Sequence, residues 1–309
     1  MKRSWFLLSI CVGLFGCTSG GLDGAVSEQQ QSQPENQPQV VVTNTILASL
    51  AQQVGGDAIQ LTSLLQPGDD PHIYEPLPQD SRTIAEAELI LLNGYNMEPA
   101  LTKLVESANT EAPAIAVAEA IQPLDFEYEG QREPDPHVWG DVENAVVMVE
   151  VIRDALIDVE PEQAELFRTN AEQLTTELVE LDGWIAEQIE LIPPEQRKLV
   201  TTHDAFQYYG DAYELEILGT LIGISTEEQP SAQTVTQLVE TIRVANVPTI
   251  FAETTINPGL IERVAQEAQV QVAPEKLYSD SIGTPDSSAS SYQQMMRFNT
   301  QAVVDGLNQ

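Results

Sequence analysis

The chain has 309 residues, 48 of them acidic and 13 basic, for a formal net charge of −35. A field of that sign repels phosphate backbones and excludes nucleic acid as a partner. Its two cysteines, Cys11 and Cys17, offer no disulfide framework once an export signal is removed, so an apolar core must hold the fold.

Lys2 and Arg3 followed by the apolar run Trp5 to Phe15 read as a signal peptide over residues 1–16, too short to span a bilayer as a mature helix. The run ends in Leu14-Phe15-Gly16-Cys17, which resembles a bacterial lipobox apart from Phe15, where a small residue is usual. Cys17 is therefore the expected lipidation site; ordinary cleavage nearby, with Cys17 lost, is the alternative. Residues 17–38, mostly Gly, Ser, Gln and Pro, cannot offset the entropy of ordering and are expected to form a lipid-anchored flexible tether. No later segment approaches the length of a transmembrane helix.

The body opens on the β-branched run Val40 to Asn44, a buried strand, followed by a helix from Ile46 to Val54 that Gly55-Gly56 stops. A strand over Ile59 to Leu65 leads into the turn Pro67 to Pro71, and Ala85 to Asn93 reads as a helix end feeding a third strand. Phe167, Ala171, Leu174, Leu178, Leu181, Ile185 and Ile189 then recur at three- and four-residue steps, predicting one long amphipathic helix over 161–192. Beyond it, strands at 198–202, 216–222, 249–253 and 270–272 alternate with helices at 205–213, 232–244, 258–268 and 291–306. Such alternation implies parallel sheets. The expected fold is α/β, with two lobes, each a mostly parallel sheet flanked by helices, joined by the long helix. The N-terminal lobe occupies 39–160 and the C-terminal lobe 193–309. No internal sequence repeat is visible.

The chain contains three histidines, His72 in PGDDPHIYEP, His137 in EPDPHVWGD and His203 in TTHDAF. Each follows a proline-bearing turn or a strand end, where α/β proteins carry binding residues. Imidazole is the commonest side-chain ligand of transition metals, so distant histidines in such similar settings point to one metal site. Carboxylates nearby, Asp70, Asp135, Asp141 and Asp204, could orient the imidazoles. No CxxC or HExxH spacing supports the site independently.

The segments PGDDPHIYEP, DPHVWGD, THDAFQYYGDAY, GISTEEQPSA and LYSDSIG, in this order, resemble the TroA-like (cluster A-I) metal-binding proteins of bacterial ABC importers, which include zinc and manganese receptors. The resemblance covers residues 39–309. It implies one divalent cation held between two α/β lobes, with His72 and His137 from the first, and His203 and Asp280 from the second, as ligands. Asp280 enters only through the resemblance. Glu253, at a strand end, joins Asp141 and Asp204 as a candidate support behind the ligands.

Three imidazoles and one carboxylate favour Zn2+, with Mn2+ or iron as the alternative. The resemblance further implies capture of the ion outside the cytoplasmic membrane by a lipid-anchored monomer, and its delivery to an ABC permease driven by an ATPase. A metal-dependent hydrolase is the competing class. It is disfavoured because four protein ligands would close the site that a catalytic water needs. Adhesion, a role attached to some members of the family, has no residue-level signal here.

Overall fold

The β-branched run at the start of the body forms β1 (Gln39–Val42). Asn44 caps α1 (Thr45–Gly55), its Oδ1 accepting the Leu47 N–H at 2.9 Å. Next come β2 (Gln60–Ser63), α2 (Pro78–Glu86), β3 (Leu89–Leu92), α3 (Pro99–Ser107) and β4 (Ala114–Ala116). These strands pair in parallel in the order β2-β1-β3-β4. A helix-covered parallel sheet is buried on both faces, and successive side chains alternate between them. Val40, Val42, Leu89 and Leu91 accordingly enter a large central core, while Val41, Ile90 and Leu92 join Ile84 of α2 and Leu101 of α3 in a smaller one. The computed structural model describes residues 37–128 and 131–308. The signal peptide, the lipidation site Cys17 and nearly all of the tether lie outside the described residues.

An antiparallel hairpin of β5 (Asp125–Tyr128) and β6 (Gln131–Pro134) leads to His137, and α4 (Val142–Val159) follows. The sequence pattern predicts no helix or strand between Gly94 and Pro161, where α3, β4, the hairpin and α4 stand. Six valines in α4 blur its helical signal, yet its buried positions Val142, Ala145, Val149, Ile152 and Leu156 keep helical spacing.

The long helix is α5 (Ala164–Ile189), preceded by a single 3-10 turn at Pro161–Gln163. Its 26 residues span about 39 Å at about 1.5 Å per residue. It continues through Gly183 without a break. Its buried stripe is the one read from the spacing, Phe167 through Ile189.

The second half carries β7 (Lys198–Thr201), α6 (Gln207–Ala212), β8 (Glu216–Thr220), α7 (Ala232–Ala245), β9 (Thr249–Ile250), α8 (Gly259–Ala268), β10 (Gln271–Val272) and α9 (Tyr292–Leu307). β7 pairs with β8 and β9 with β10, both in parallel, and the Phe251 N–H donates to the Val200 carbonyl at 2.9 Å to join the two pairs. The resulting order, β8-β7-β9-β10, repeats that of the first sheet although the sequences do not repeat. α5 packs against α1, α4 and α9. Val40 and Leu91 of the first half and Leu199, Phe251 and Tyr292 of the second share the central core beside it. Among the described residues no helix is long and apolar enough to cross a membrane.

Candidate metal centre

The four residues expected to bind a cation come from four separate loops. His72 follows β2, in a loop closed by Asp70, whose Oδ1 accepts the His72 N–H at 3.0 Å and whose Oδ2 accepts the Thr226 hydroxyl at 2.6 Å. His137 follows β6. His203 lies two residues beyond β7, and Asp280 lies in the loop between β10 and α9. Three of these loops leave the carboxyl ends of strands paired in parallel, where open α/β sheets collect their ligands.

The loops converge. The Nε2 atoms of His72 and His137 are 3.3 Å apart, His137 Nε2 is 3.4 Å from Asp280 Oδ1, and His203 Nε2 is 3.3 Å from Asp280 Oδ2. One donor atom from each residue lies within 4.8 Å of all the others. His137, His203 and Asp280 are at most 1% exposed, while His72 is 5% exposed and lines a cleft of about 780 Å³ together with Tyr95, Glu119, Phe126 and Glu133. His203 Nε2 and both Asp280 carboxylate oxygens have no hydrogen-bond partner although they are buried. Unsatisfied buried donors and acceptors are rare and call for a missing partner. Here they face one another, as a donor set for one cation does.

Behind the four candidate donors, carboxylates fix two of the imidazoles. His137 Nδ1 donates to Asp135 Oδ1 at 2.7 Å, and the same oxygen accepts the His137 backbone N–H at 3.0 Å. His203 Nδ1 donates to Glu253 Oε2, while Glu253 Oε1 accepts the N–H groups of Thr202 and His203 at 2.8 and 2.9 Å. Both contacts turn Nε2 toward the centre. The other two candidate supports bond elsewhere. Asp141 caps α4 by accepting the Glu143 N–H at 2.8 Å, and Asp204 Oδ1 accepts from the Gln207 amide at 2.8 Å. Both stand in place to cap or brace their own turns, which residue type and proximity in sequence do not distinguish from bracing an imidazole.

Sequence reasoning misses Trp139. Its indole N–H donates to the Ser279 carbonyl at 3.1 Å, its ring meets the His137 ring edge-on with centroids 5.4 Å apart, and its own carbonyl accepts the Tyr292 hydroxyl at 2.7 Å. It thereby joins the His137 and Asp280 loops. Its position two residues after His137 was the available signal.

The electrostatics follow the geometry. Burial disfavours charge on His137 most strongly, but the charge and hydrogen bond of Asp135 and the nearby Asp280 carboxylate outweigh it and raise the pKa to about 9. His203 is likewise raised, with Asp280 and Glu253 overcoming burial. Burial would raise Asp280, yet His203 and His137 hold it well below the usual carboxylate range. His72, buried without a carboxylate on its ring, falls to about 3 and stays neutral.

A family model described as "Zinc-uptake complex component A periplasmic" matches residues 40–306. The manganese-binding lipoprotein MntA of Halalkalibacterium halodurans is 32% identical over the whole length of both chains. The manganese ABC transporter substrate-binding lipoprotein PsaA of Streptococcus pneumoniae is 31% identical over 99% of each. Among solved structures, the periplasmic zinc binding protein TroA from Treponema pallidum superposes with a TM-score of 0.84 at 30% identity, covering 88% of this chain and 99% of that one. With the fold, the converging donors and these likenesses together, the chain belongs to the zinc-uptake component A family, the metal-binding substrate receptors of ABC importers.

Proposed function

We propose that this protein captures Zn2+ on His72, His137, His203 and Asp280 and hands it to a membrane permease driven by an ATPase. The observation that carries the reading is the convergence of one donor atom from each of the four residues within 4.8 Å, with three contacts among them at 3.3 to 3.4 Å. A tetrahedral zinc with ligands at about 2.0–2.1 Å has ligand atoms about 3.3–3.4 Å apart. Three neutral imidazoles and one carboxylate are also a borderline donor set suited to zinc. We take residues 39–160 and 193–309 as the two lobes and 161–192 as the segment between them. The protein acts as a monomer outside the cytoplasmic membrane, held there through Cys17 and the tether.

Manganese is the second reading. Two of the relatives above carry manganese in their names, and Asp280 offers both carboxylate oxygens, which a larger, oxygen-preferring ion could use. Hydrolysis is disfavoured because a fourth protein donor occupies the position a catalytic water needs. Metal analysis of the purified protein, followed by competition between Zn2+ and Mn2+, tests the choice. Zn2+ is expected to displace bound Mn2+ at equal concentration. Retention of Mn2+ under those conditions would transfer the assignment to manganese. Failure to bind either ion would remove the receptor reading for this site.

A further inference from the structure

Glu98 is a charged side chain that the cation centre does not use, yet it is only 1% exposed. It sits at the start of α3, beyond the carboxyl ends of β1 and β3. Its Oε1 accepts the Thr43 hydroxyl at 2.8 Å and the Asn44 amide at 2.7 Å, and its Oε2 has no hydrogen-bond partner. Burial pushes its pKa up to about 6 despite those bonds. An interior carboxylate with an unsatisfied oxygen is expensive, so local stability alone does not account for it.

Its neighbours lead to the ligand loops. Asn44 caps α1, and the next residue, Thr45, accepts the Ile282 N–H at 3.0 Å through Oγ1 and lies 3.1 Å from the Ser281 hydroxyl. Ser281 follows Asp280, and its hydroxyl also accepts the Gly68 N–H at 3.0 Å, in the loop that ends at His72. The Thr43 carbonyl accepts the Leu65 N–H at 3.1 Å at the root of that same loop. Two of the four ligand loops, those of His72 and Asp280, therefore meet within a few hydrogen bonds of one carboxylate.

We propose that Glu98 is a positioning residue for the cation centre, holding the His72 and Asp280 loops in one register through Thr43 and Asn44. This rests on the ligand assignment above. The role needs an acceptor at Oε1 rather than a charge, so a glutamine can supply it and an apolar side chain of similar length cannot.

The test compares Glu98→Gln, Glu98→Met and Thr43→Val with the wild type, reading Zn2+ affinity by chelator competition and the rise in melting temperature that Zn2+ produces. Glu98→Met is expected to weaken binding about tenfold or more, the lower end of what losing a supporting residue does, and to shrink the Zn2+-induced rise. Glu98→Gln is expected to stay within about threefold of wild type, on the same scale. A merely structural role lowers the melting temperature with and without Zn2+ alike and leaves the difference between them intact. If Glu98→Met does not fold, Thr43→Val, which removes one donor and keeps the shape, carries the comparison, with weaker binding expected. Wild-type affinity and an unchanged Zn2+-induced rise in the folded variants overturn the proposal. His203→Ala is the control: if wild type and His203→Ala bind Zn2+ equally, the ligand assignment fails and this inference with it.

Discussion

The carboxylate of Glu253 divides its oxygens between different donors, Oε1 taking two backbone N–H groups and Oε2 the His203 Nδ1–H. A glutamine there must keep its carbonyl on the backbone pair, which turns its NH2 toward Nδ1. That selects the tautomer with the proton on Nε2, where a cation needs a lone pair. Glu253→Gln is therefore expected to weaken Zn2+ binding about 10- to 100-fold with the fold intact, read by chelator competition. Unchanged affinity would show that the tautomer is not set by Glu253. The pH dependence follows from the same groups. His137, with its pKa raised to about 9, and His203, also raised, carry protons at pH 7 in the cation-free protein, while His72, near 3, does not. Those two protons must leave when the ion binds. Affinity should thus rise with pH through about 9, and calorimetry in buffers of different ionisation enthalpy should find about two protons released at pH 7. Release of none would contradict the assigned charges. The sign for stability is opposite: raised imidazole pKa values stabilise the cation-free fold fully below the unfolded value of about 6.5, and that contribution is lost as pH rises through about 9 for His137.

At the scale of the element, α5 joins the two halves. It packs against α1 and α4 of the first half and α9 of the second, and its seven buried side chains enter the central core. Leu178, fully buried at mid-helix, is expected to destabilise the fold by about 2–5 kcal/mol when cut to alanine. Gly183 offers the opposite test. A Cβ there would meet nothing within 4 Å, and the residue has an ordinary negative φ. Gly183→Ala should stabilise by about 0.5–1 kcal/mol by restricting the unfolded chain and favouring helix. Denaturant melts of both variants read these changes, and a destabilised Gly183→Ala would mean that the helix needs its freedom at that point. The loop Gly94-Tyr95-Asn96 behaves differently, with φ of 98, 51 and 56° in succession. Tyr95 and Asn96 pay backbone strain of about 1–2 kcal/mol each, and both line the cleft beside His72.

Across the whole molecule, charge dominates. With 48 acidic against 13 basic residues, and the described Arg–carboxylate pairs lying mostly at the surface, self-repulsion is little relieved by ion pairing. The melting temperature should rise as NaCl is increased from about 10 to about 150 mM, over which the Debye length falls from about 30 to about 8 Å; a flat response would mean the acidic surface is already neutralised. Much of this architecture is legible in the chain itself. Alternating β-branched and amphipathic runs fix parallel sheets because their periods differ, and the seven-residue stripe of α5 fixes which face it buries, since helical spacing alone decides that. The histidines announce a site because few residue types can hold a transition ion. What they cannot announce is convergence. Asp280 is one acid among 48, indistinguishable by spacing, and only the packing of four loops brings its oxygens within 3.4 Å of two imidazoles. Likewise Asp135 and Glu253 brace imidazoles while Asp141 and Asp204 brace their own turns. The composition of each loop is a local property written in the sequence, whereas which donors share a centre depends on contacts between residues far apart in the chain, and those exist only once the core has closed.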